Sequence, residues 1–317
     1  MNDAAAERSS VFAPHPRLLA VRLSALGDVI HTIPAVLSLR GRYDVTWVVE
    51  APYRELVEIV AGVAAIPVRM KTWTGEPKSA VAAVRAMRGF DVAVDFQGLI
   101  KSAVLPWAAR VKERVGFDRA AIREKPAAWL TNRHVPVDTT RHVIEQNLEL
   151  ARGAGAGGLA TLPAPQENWE EVTVPVPGDE NAIVLLPGAG KPNKLWPLER
   201  FRELARRIGP SALAVWGPGE RELAGAIGCR LAPATSLREL AWILRKAQLV
   251  IGADTGPLHL ADALGTKVIG LYGPTDPRRN GPHGQLERVI DRFRSTKSMD
   301  SISVEDVMKT VEEVLPE

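Results

Sequence analysis

The sequence predicts an α/β protein with two Rossmann-like domains, each built on a parallel sheet that helices cover. Short apolar, β-branched runs alternate with longer stretches of helical periodicity, which is typical of parallel α/β folds. The chain of 317 residues is about twice as long as one average domain. The alternation breaks once, near the middle of the chain, where glycine and proline accumulate. We therefore expect two successive domains.

The first half of the chain contains three predicted strands and three predicted helices. The strands are Leu18–Leu23, Val45–Val49 and Val92–Phe96. The helices lie around Val29–Leu39, Glu55–Val60 and Ser79–Met87. The strand segments are mostly apolar rather than alternating, as expected when helices cover both faces of a parallel sheet.

The second half repeats the pattern with four predicted strands and four predicted helices. The strands are Ala182–Leu186, Ala212–Trp216, Leu249–Ile251 and Lys267–Tyr272. The helices are Leu198–Ile208, Glu220–Ile227, Leu237–Arg245 and Leu258–Leu264. A final amphipathic helix is predicted over Ser303–Val314, because valines and a methionine recur along one stripe of it.

The boundary between the domains is visible in composition. Four glycines within Gly153–Gly158 are followed by Pro163, Pro165, Pro175 and Pro177, which interrupt helices and strands. We place the boundary near residue 165, so that the first domain spans 1–165 and the second spans 166–317.

Composition excludes several classes of protein. The hydrophobic fraction is 46% and the charged fraction is 24%, which argues against disorder. A net charge of only +3 does not indicate a nucleic-acid partner. The single cysteine, Cys229, cannot form an internal disulfide. The first sixteen residues lack the apolar core of a signal peptide, and no apolar run is long enough to span a bilayer, so we expect a cytoplasmic protein. Peripheral membrane association stays open.

The loop Ser24–Asp28 lies between the first predicted strand and a helix, at the strand end where parallel α/β folds bind ligands. Asp28 has two interpretations. It caps a helix that begins at Val29, or it acts as a general base. A carboxylate at a helix start is a weak base, which suffices for substitution at an anomeric carbon because the leaving group departs early. His31 is an alternative base, a partner of Asp28 or a structural histidine.

The segment Gly252–His259 follows a predicted strand and opens a helix. Such a helix start presents unpaired amides and a partial positive charge, which suit a phosphate or diphosphate. Thr255 supplies a hydroxyl, Gly256 leaves room for a ligand, and His259 adds a polar group one turn inside. The alternative is that Asp254 or Thr255 only caps the helix.

The glycine-rich segment Leu186–Pro197 also follows a predicted strand, and it carries Lys191 and Lys194. A lysine about 4 Å from a phosphate contributes ~4 kcal/mol at an effective dielectric constant near 20. These lysines therefore suit a diphosphate, and a solvated basic turn is the alternative.

Two more loops follow strands of the second half. In Trp216–Glu222, Glu220 or Glu222 is placed to accept the hydroxyls of a ribose, or it only favours a helix start. The segment Tyr272–Pro277 is a tight turn that either helps to close a ligand cleft or is a turn alone.

Motifs that would indicate other chemistry are missing from the sequence. It contains no H-E-x-x-H, no pair of Cys-x-x-Cys, no D-x-D and no P-loop, and the first strand is not followed by G-x-G-x-x-G. No G-x-S-x-G elbow indicates a hydrolase. We therefore expect neither a metal site nor a cofactor.

Cations and aromatic residues mix in the first half. They are Lys71, Trp73, Arg119, Arg123, Lys125 and Trp129. An anionic acceptor or membrane headgroups suit this mixture, and a solvated face is the alternative.

Six segments, taken in order, resemble the heptosyltransferases of lipopolysaccharide core synthesis, which form glycosyltransferase family 9 and have a GT-B fold. They are RLSALGDVIHTIPAV (22–36), VDFQGLIKSA (94–103), KLWPLERF (194–201), VWGPGE (215–220), ADTGPLHLADAL (253–264) and YGPTDP (272–277). The resemblance extends over nearly the whole chain, and the ordered set is specific although each segment alone is weak. Residues 97–103 and 123–134 resemble the heptosyltransferase I branch in particular.

The resemblance implies roles for individual residues. It makes Asp28 the catalytic base. The implied donor-binding residues are Lys194, Glu220, Glu222, Asp254, Thr255, Gly256 and His259. The choices between Glu220 and Glu222, and between Lys191 and Lys194, stay open because local spacing departs from the family pattern. The implied acceptor-binding residues are Lys71, Lys101 and Arg123. The final helix, 303–314, is expected to cross back to the first domain.

The implied reaction moves L-glycero-D-manno-heptose from ADP-heptose onto a Kdo sugar of Kdo2-lipid A, with inversion and without a metal or cofactor. The expected partners are these two substrates and the inner face of the cytoplasmic membrane, with no nucleic acid. Two alternatives stay open. One is another GT-B enzyme with a different sugar nucleotide, either a glycosyltransferase or a 2-epimerase. The other is a catalytically silent nucleotide-binding protein.

Overall fold

The computed structural model describes residues 15–70, 77–157 and 179–315. In the first domain the elements are β1 (Arg17–Val21), α1 (Leu26–Ile30), α2 (Ile33–Leu39), β2 (Asp44–Glu50), α3 (Arg54–Leu56), β3 (Ala64–Val68), α4 (Pro77–Ala86), β4 (Val92–Asp95), α5 (Ile100–Ala108), β5 (Glu113–Phe117), β6 (Arg133–Val135) and α6 (Val143–Gly153). The expected boundary near residue 165 lies outside the described residues.

The second domain follows the same alternation. Its elements are β7 (Ile183–Leu186), α7 (Leu198–Ile208), β8 (Ala212–Ala214), α8 (Arg221–Gly225), β9 (Arg230–Leu231), α9 (Leu237–Lys246), β10 (Leu249–Ala253), α10 (Gly256–Ala263), β11 (Val268–Tyr272), α11 (Pro277–Asn280), β12 (Val289–Asp291) and α12 (Val304–Val314).

Each domain contains one six-stranded parallel sheet. The strand orders are β3-β2-β1-β4-β5-β6 and β12-β11-β10-β7-β8-β9. Counted from the first strand of each domain, both follow the order 3-2-1-4-5-6 of Rossmann folds. The prediction of two Rossmann-like domains is therefore confirmed.

The strand order also predicts where ligands bind. In each sheet the chain reverses direction beside its first strand, between β1 and β4 and between β7 and β10. A crevice opens outside the carboxyl ends of strands at such a switch point. The loops after β1, β4, β7 and β10 are therefore the ones that the fold brings to a site.

The two domains touch through their helices. Helix α1 packs on α10, and α3 packs on α9. A Cβ on Gly256 would lie 2.6 Å from the side chain of Leu26, and a Cβ on Gly27 would lie 3.0 Å from the ring of His259. These two glycines let the helix starts approach closely. Gly256 thus makes room for Leu26 of the first domain, where the sequence suggested room for a ligand.

One predicted helix is divided in two. The segment Val29–Leu39 was expected to be continuous, but α1 ends at Ile30 and α2 begins at Ile33. Pro34 lies in the first turn of α2. Since proline lacks an amide proton and clashes with the preceding turn, the chain starts a new helix there.

Helix α12 belongs to the core of the second domain. Its buried residues Val304, Val307, Val311 and Val314 lie in one cluster with residues of β7, α7, β10 and β11. The helix packs on α7 and β11. These contacts contradict the expectation that 303–314 packs on the first domain, because its apolar stripe is already covered by its own sheet.

Among the described residues, no helix combines the length and the apolar composition that a membrane crossing requires.

Candidate active site

A cavity of about 300 Å³ lies where the carboxyl ends of the two sheets face each other. Both domains line it. The first contributes Arg22, Asp28, His31, Gln97, Arg123 and Asn147, and the second contributes Lys194, Asp254, Thr255, His259, Arg279 and Asn280, among others. The structure thus brings the loops after β1, β4, β7 and β10 into one site.

Asp28 lies in the first turn of α1 and faces this cavity. The helix begins at Leu26, so the alternative in which Asp28 caps a helix starting at Val29 is wrong. Its Oδ1 accepts a hydrogen bond from Nη2 of Arg22 at 2.7 Å, and 34% of its side chain is exposed. No described residue bonds to its Oδ2, so one carboxylate oxygen is held while the other is open to the cavity.

Arg22 is a buried cation that holds Asp28 in place. Its side chain is 7% exposed, and its Nη1 donates to the carbonyl of Phe96 at the end of β4. Burial lowers the pKa of this guanidinium from its usual value, while the Asp28 carboxylate opposes the shift. Because both β1 and β4 anchor it, the Arg22 fork sets the orientation of the Asp28 carboxylate.

The loop after β4, which carries the Phe96 carbonyl bound by Arg22, is joined to the loop after β1 by hydrogen bonds. Burial raises the pKa of Asp95 to about 6, against hydrogen bonds from the amides of Gln97 and Gly98 and from the Ser102 hydroxyl. The side chain of Gln97 in turn accepts from the Leu23 amide at 2.8 Å. This network joins the ends of β1 and β4, the strands that flank the switch point.

In the second domain, Asp254 organises three side chains. Its Oδ2 accepts from Nζ of Lys194 at 2.6 Å, and its Oδ1 accepts from Nε2 of His259 at 3.0 Å and from Nδ2 of Asn280 at 2.9 Å. Although burial opposes ionisation, these partners hold the pKa of the carboxyl below its usual range. Asp254 is thus an anion that holds Lys194 at the cavity wall.

The start of α10 presents polar groups that lack protein partners. Thr255 occupies the N-cap position, but its side chain makes no capping hydrogen bond, and its buried Oγ1 has no partner. The buried Nδ1 of His259 also has none. Buried polar atoms without partners are rare in folded proteins, and here they face a cavity, which favours a bound polar ligand.

The structure separates the two pairs of residues that the sequence left open. The carboxylate of Glu220 lies over Gly188 in the loop after β7, where a Cβ would come within 2.1 Å of it, whereas Glu222 is exposed. Lys194 lines the cavity, and Lys191 is exposed outside its lining. Glu220 and Lys194 are thus the members placed at the carboxyl edge of the second sheet.

The expected acceptor-binding residues are not all brought together. Arg123 lines the cavity beside Arg22. Lys101 lies in the first turn of α5 and is absent from that lining. Lys71 lies outside the described residues.

Four histidines meet where the domains touch. The ring of His31 lies 4.4 Å from that of His259 and 5.6 Å from that of His142, and His142 lies 4.7 Å from His283. Burial, aided by the two neighbouring histidines, lowers the pKa of His31 well below its usual value. His31 is therefore a neutral ring packed between the domains.

His142 gives the contact between the domains a dependence on pH. Its Nε2 donates to the carbonyl of Gly281 across the interface, and burial, aided by His283, lowers its pKa to about 4. As pH falls from 6.5 toward 4, the unfolded chain binds a proton that the folded ring resists, so about 3 kcal/mol of stability is lost in this window. We expect His142→Asn, which keeps an acceptor for the Ile144 amide, to remove this part of the loss.

The measurement is the urea midpoint of the unchanged protein and of His142→Asn at several pH values. The midpoint of one protein is subtracted from that of the other at each pH. Subtraction is needed because His31 acts in the same direction, whereas the raised pKa of Asp95 destabilises the fold as pH rises from about 4 to 6. A difference between the two midpoints that does not change with pH would contradict this role of His142.

Sequence reasoning missed several residues of the cavity. Arg22, Gln97, Asn147, Arg279 and Asn280 line it without having been singled out. Only Arg22 left a local signal, as a cation within an otherwise apolar strand run. Within residues 15–70, 77–157 and 179–315, no group of three or more His, Cys, Asp or Glu side chains is arranged to hold a metal ion.

The chain is similar to known glycosyltransferases. The model of glycosyltransferase family 9 (heptosyltransferase) matches residues 81–310. Lipopolysaccharide heptosyltransferase 1 of Pseudomonas aeruginosa is 32% identical over 301 residues, which cover 86% of this chain and 82% of that protein. The solved E. coli heptosyltransferase WaaC with ADP is 28% identical, with a TM-score of 0.83 over 94% of this chain and 100% of that one.

The same enzyme solved with ADP-2-deoxy-2-fluoro heptose superposes with a TM-score of 0.79, again at 28% identity over 94% of this chain and 100% of that one. The two parallel sheets and these neighbours establish a GT-B fold. The family model covers well over half of the chain, and the chain therefore belongs to glycosyltransferase family 9, the heptosyltransferases.

Proposed function

We propose that this protein transfers L-glycero-D-manno-heptose from ADP-heptose to a Kdo sugar of Kdo2-lipid A, in synthesis of the lipopolysaccharide inner core. One observation carries the proposal. A single cavity joins the half-held carboxylate of Asp28 in one domain to the Lys194–Asp254–His259 group and the start of α10 in the other. The names of the relatives supply the sugar and the nucleotide.

The second domain holds the donor. Lys194 and the free amides at the start of α10 bind the diphosphate, and the Thr255 hydroxyl donates to it. Their positive charge takes the place that a metal ion holds in other transferases, so the reaction is metal-independent and needs no cofactor. Asp254 and His259 act by holding Lys194 and the helix start in position.

The first domain holds the acceptor and activates it. Arg123 lines the cavity, and we assign Lys101 and Lys71 to the same anionic substrate. The acceptor hydroxyl attacks C1 of the heptose while the bond from C1 to the diphosphate oxygen breaks. Asp28 accepts the hydroxyl proton, and ADP leaves from the opposite face, so the configuration at C1 is inverted.

Closure of the cleft over both substrates excludes water, which would otherwise hydrolyse the activated sugar. Because the acceptor is a lipid, the enzyme works in the cytoplasm at the inner face of the cytoplasmic membrane, as a peripheral protein.

The test is incubation of the purified protein with ADP-heptose and Kdo2-lipid A, followed by ADP release and product mass. Product heavier by one heptose, formed only when both substrates are present, supports the proposal. A panel of other sugar nucleotides is the control. Turnover of another donor in preference to ADP-heptose, or nucleotide binding without turnover, would contradict it.

Glu220 is the proposed ribose ligand, because its carboxylate lies beside Gly188 at the sheet edge. We expect Glu220→Gln to raise the donor KM by about tenfold or more, since a hydrogen bond to a charged acceptor contributes about 1.5–3 kcal/mol. The matched control is Glu222→Gln, which changes an exposed residue two positions away and should leave the donor KM nearly unchanged. The reverse ranking of the two variants would assign the ribose to Glu222.

A further inference from the structure

Three large apolar side chains are exposed on one side of the first domain. Ile100 is 44% exposed, Trp107 is 52% exposed and Trp129 is 74% exposed. Ile100 and Trp107 are seven residues apart in α5, so they lie on the same helix face. Trp129 ends a short 3-10 helix, Lys125–Trp129, that packs on α5.

Hydrogen bonds place this short helix alongside α5. At one end, the Ile100 amide donates to the Glu124 carboxylate at 2.8 Å. At the other end, Nε of Arg114 donates to the carbonyl of Leu130, the residue after Trp129, at 2.7 Å. Arg114 and Trp107 line one surface groove. Arg114 thus connects the groove that Trp107 lines with the backbone next to Trp129.

The sequence segment that contains this face is basic. Residues 100–134 contain eight Lys and Arg but only three Asp and Glu, an excess of five, while the whole chain has a net charge of +3. Lys101, Arg110, Lys112 and Lys125 lie around the apolar residues, and none of them forms an ion pair with a described residue. The cations are thus available to an anionic partner.

We infer that this aromatic-basic face, formed by Ile100, Trp107, Trp129, Lys101, Arg110, Lys112 and Lys125, docks the protein on an anionic phospholipid surface. Tryptophan partitions into the interface between headgroups and acyl chains, because its ring is apolar and its N–H is polar. Lysine and arginine around it are attracted by acidic headgroups. The combination needs no membrane-spanning helix.

A second copy of the chain fits this face less well. A symmetric self-interface would set the four cations of this face against the same four on the partner, which opposes association. An anionic bilayer carries the complementary charge and accepts the tryptophans at the same time.

The position of the face connects it to the site. The Glu124 amide donates to the carbonyl of Gly98, so the loop that carries Arg123 is bonded to the loop after β4. The Ile100 end of the face adjoins this loop, whereas Trp107 lies at the other end of α5, so docking would keep the first domain at the bilayer that holds the acceptor. This purpose rests on the proposed function, whereas the binding of lipid does not.

The test is co-sedimentation of the full chain with vesicles that contain neither acceptor nor donor. Vesicles of phosphatidylcholine are compared with vesicles that also contain phosphatidylglycerol. We expect binding to the anionic vesicles that weakens as salt is added. Trp107→Ser/Trp129→Ser should bind them at least about tenfold more weakly, and Arg110→Glu/Lys112→Glu should also lose binding.

Matched controls use the second domain. Leu231→Ser/Leu286→Ser removes two exposed apolar side chains, and Lys309→Glu reverses an exposed cation on α12. Both should bind anionic vesicles as the unchanged protein does. The tryptophan variant should keep its thermal midpoint and its turnover of detergent-dispersed acceptor, which separates docking from folding and catalysis.

Three outcomes would overturn the inference. The unchanged protein fails to bind anionic vesicles, or the tryptophan variant binds them equally well. The third outcome is that the tryptophan variant binds vesicles as the unchanged protein does, while sedimentation shows that the unchanged protein is a dimer and the variant is a monomer. The face would then be an interface between copies of the chain. Failure of heptose transfer would leave the vesicle result intact, so the two proposals fail separately.

Discussion

Asp28→Ala is expected to lower kcat by about 10²–10⁴-fold while the affinity for ADP changes less than about twofold. The carboxylate lies in the first domain and touches Arg22, whereas the groups assigned to the nucleotide lie in the second domain. Removing the proton acceptor therefore affects the chemical step and leaves the nucleotide contacts in place. Single-turnover kinetics and ADP titration measure the two quantities separately.

Asp28→Asn is the matched variant, since it keeps the shape of the side chain and a hydrogen bond to Arg22 while losing the charge. It should be as slow as Asp28→Ala if the carboxylate acts as a base. Near-normal turnover in either variant would transfer the role to another group. His31 is a poor substitute, because its ring is buried between His142 and His259.

Arg22→Lys separates position from charge. Lysine keeps a cation near Asp28, but it cannot donate to the Phe96 carbonyl and the carboxylate at once with the fork of a guanidinium. If orientation by Arg22 matters, kcat falls in this variant while the donor KM changes little. If Arg22 only stabilises the fold, the variant will have a lower thermal midpoint, and kcat will not fall separately from the donor KM.

The central strands could be predicted from sequence, and the edge strands could not. The predicted runs correspond to β1, β2, β4, β7, β8, β10 and β11. The four sheet edges, β3, β6, β9 and β12, were all missed, as was β5 beside one of them. The edge strands β6, β9 and β12 are only two or three residues long, and most of their residues are exposed or half-buried. They lack the apolar run that marks a buried strand. The edge strand β3 is an apolar run, but it contains Pro67, and proline argues against a strand in a sequence because it cannot donate a hydrogen bond to the sheet.

Three helices were missed, namely α5, α6 and the four-residue α11. Helix α5 contains Pro106, which argues against a helix in a sequence because proline has no amide proton and its ring clashes with the carbonyl four residues earlier. Helix α6 mixes charged and apolar residues. Its buried face is set by packing on α2, which the sequence does not display.

The site, like the fold, could be predicted only in part. Its motifs follow strands, so the rule for parallel sheets predicted which loops would meet. The pairings within it depend on tertiary structure. The carboxylate of Glu220 over Gly188, the contact of Gly256 with Leu26 and the histidines between the domains join residues that are distant in sequence. Local patterns carry no information on such contacts, because they arise from how the sheets and domains pack.

Lys194→Met is expected to lower kcat/KM for the donor by about 10²–10³-fold, which corresponds to roughly 3–4 kcal/mol. The side chain is 18% exposed and lines the cavity, and its ammonium is held by Asp254 at 2.6 Å. In the proposed mechanism this fixed charge stabilises the diphosphate as negative charge develops there. The matched control is Lys191→Met, which removes an exposed lysine of the same loop and should change kcat/KM less than about twofold.

Lys194→Met also leaves the buried Asp254 carboxylate without its cation, so a loss of activity alone would not distinguish binding from folding. Breaking a buried ion pair from one side costs about 3–5 kcal/mol of stability. In Lys194→Met/Asp254→Asn the unpaired charge is gone, and His259 and Asn280 retain an amide partner. We expect this double variant to recover most of the thermal midpoint and none of the turnover. Recovery of both would mean that Lys194 only neutralises Asp254, and the diphosphate would then need another cation, of which Arg279 lines the same cavity.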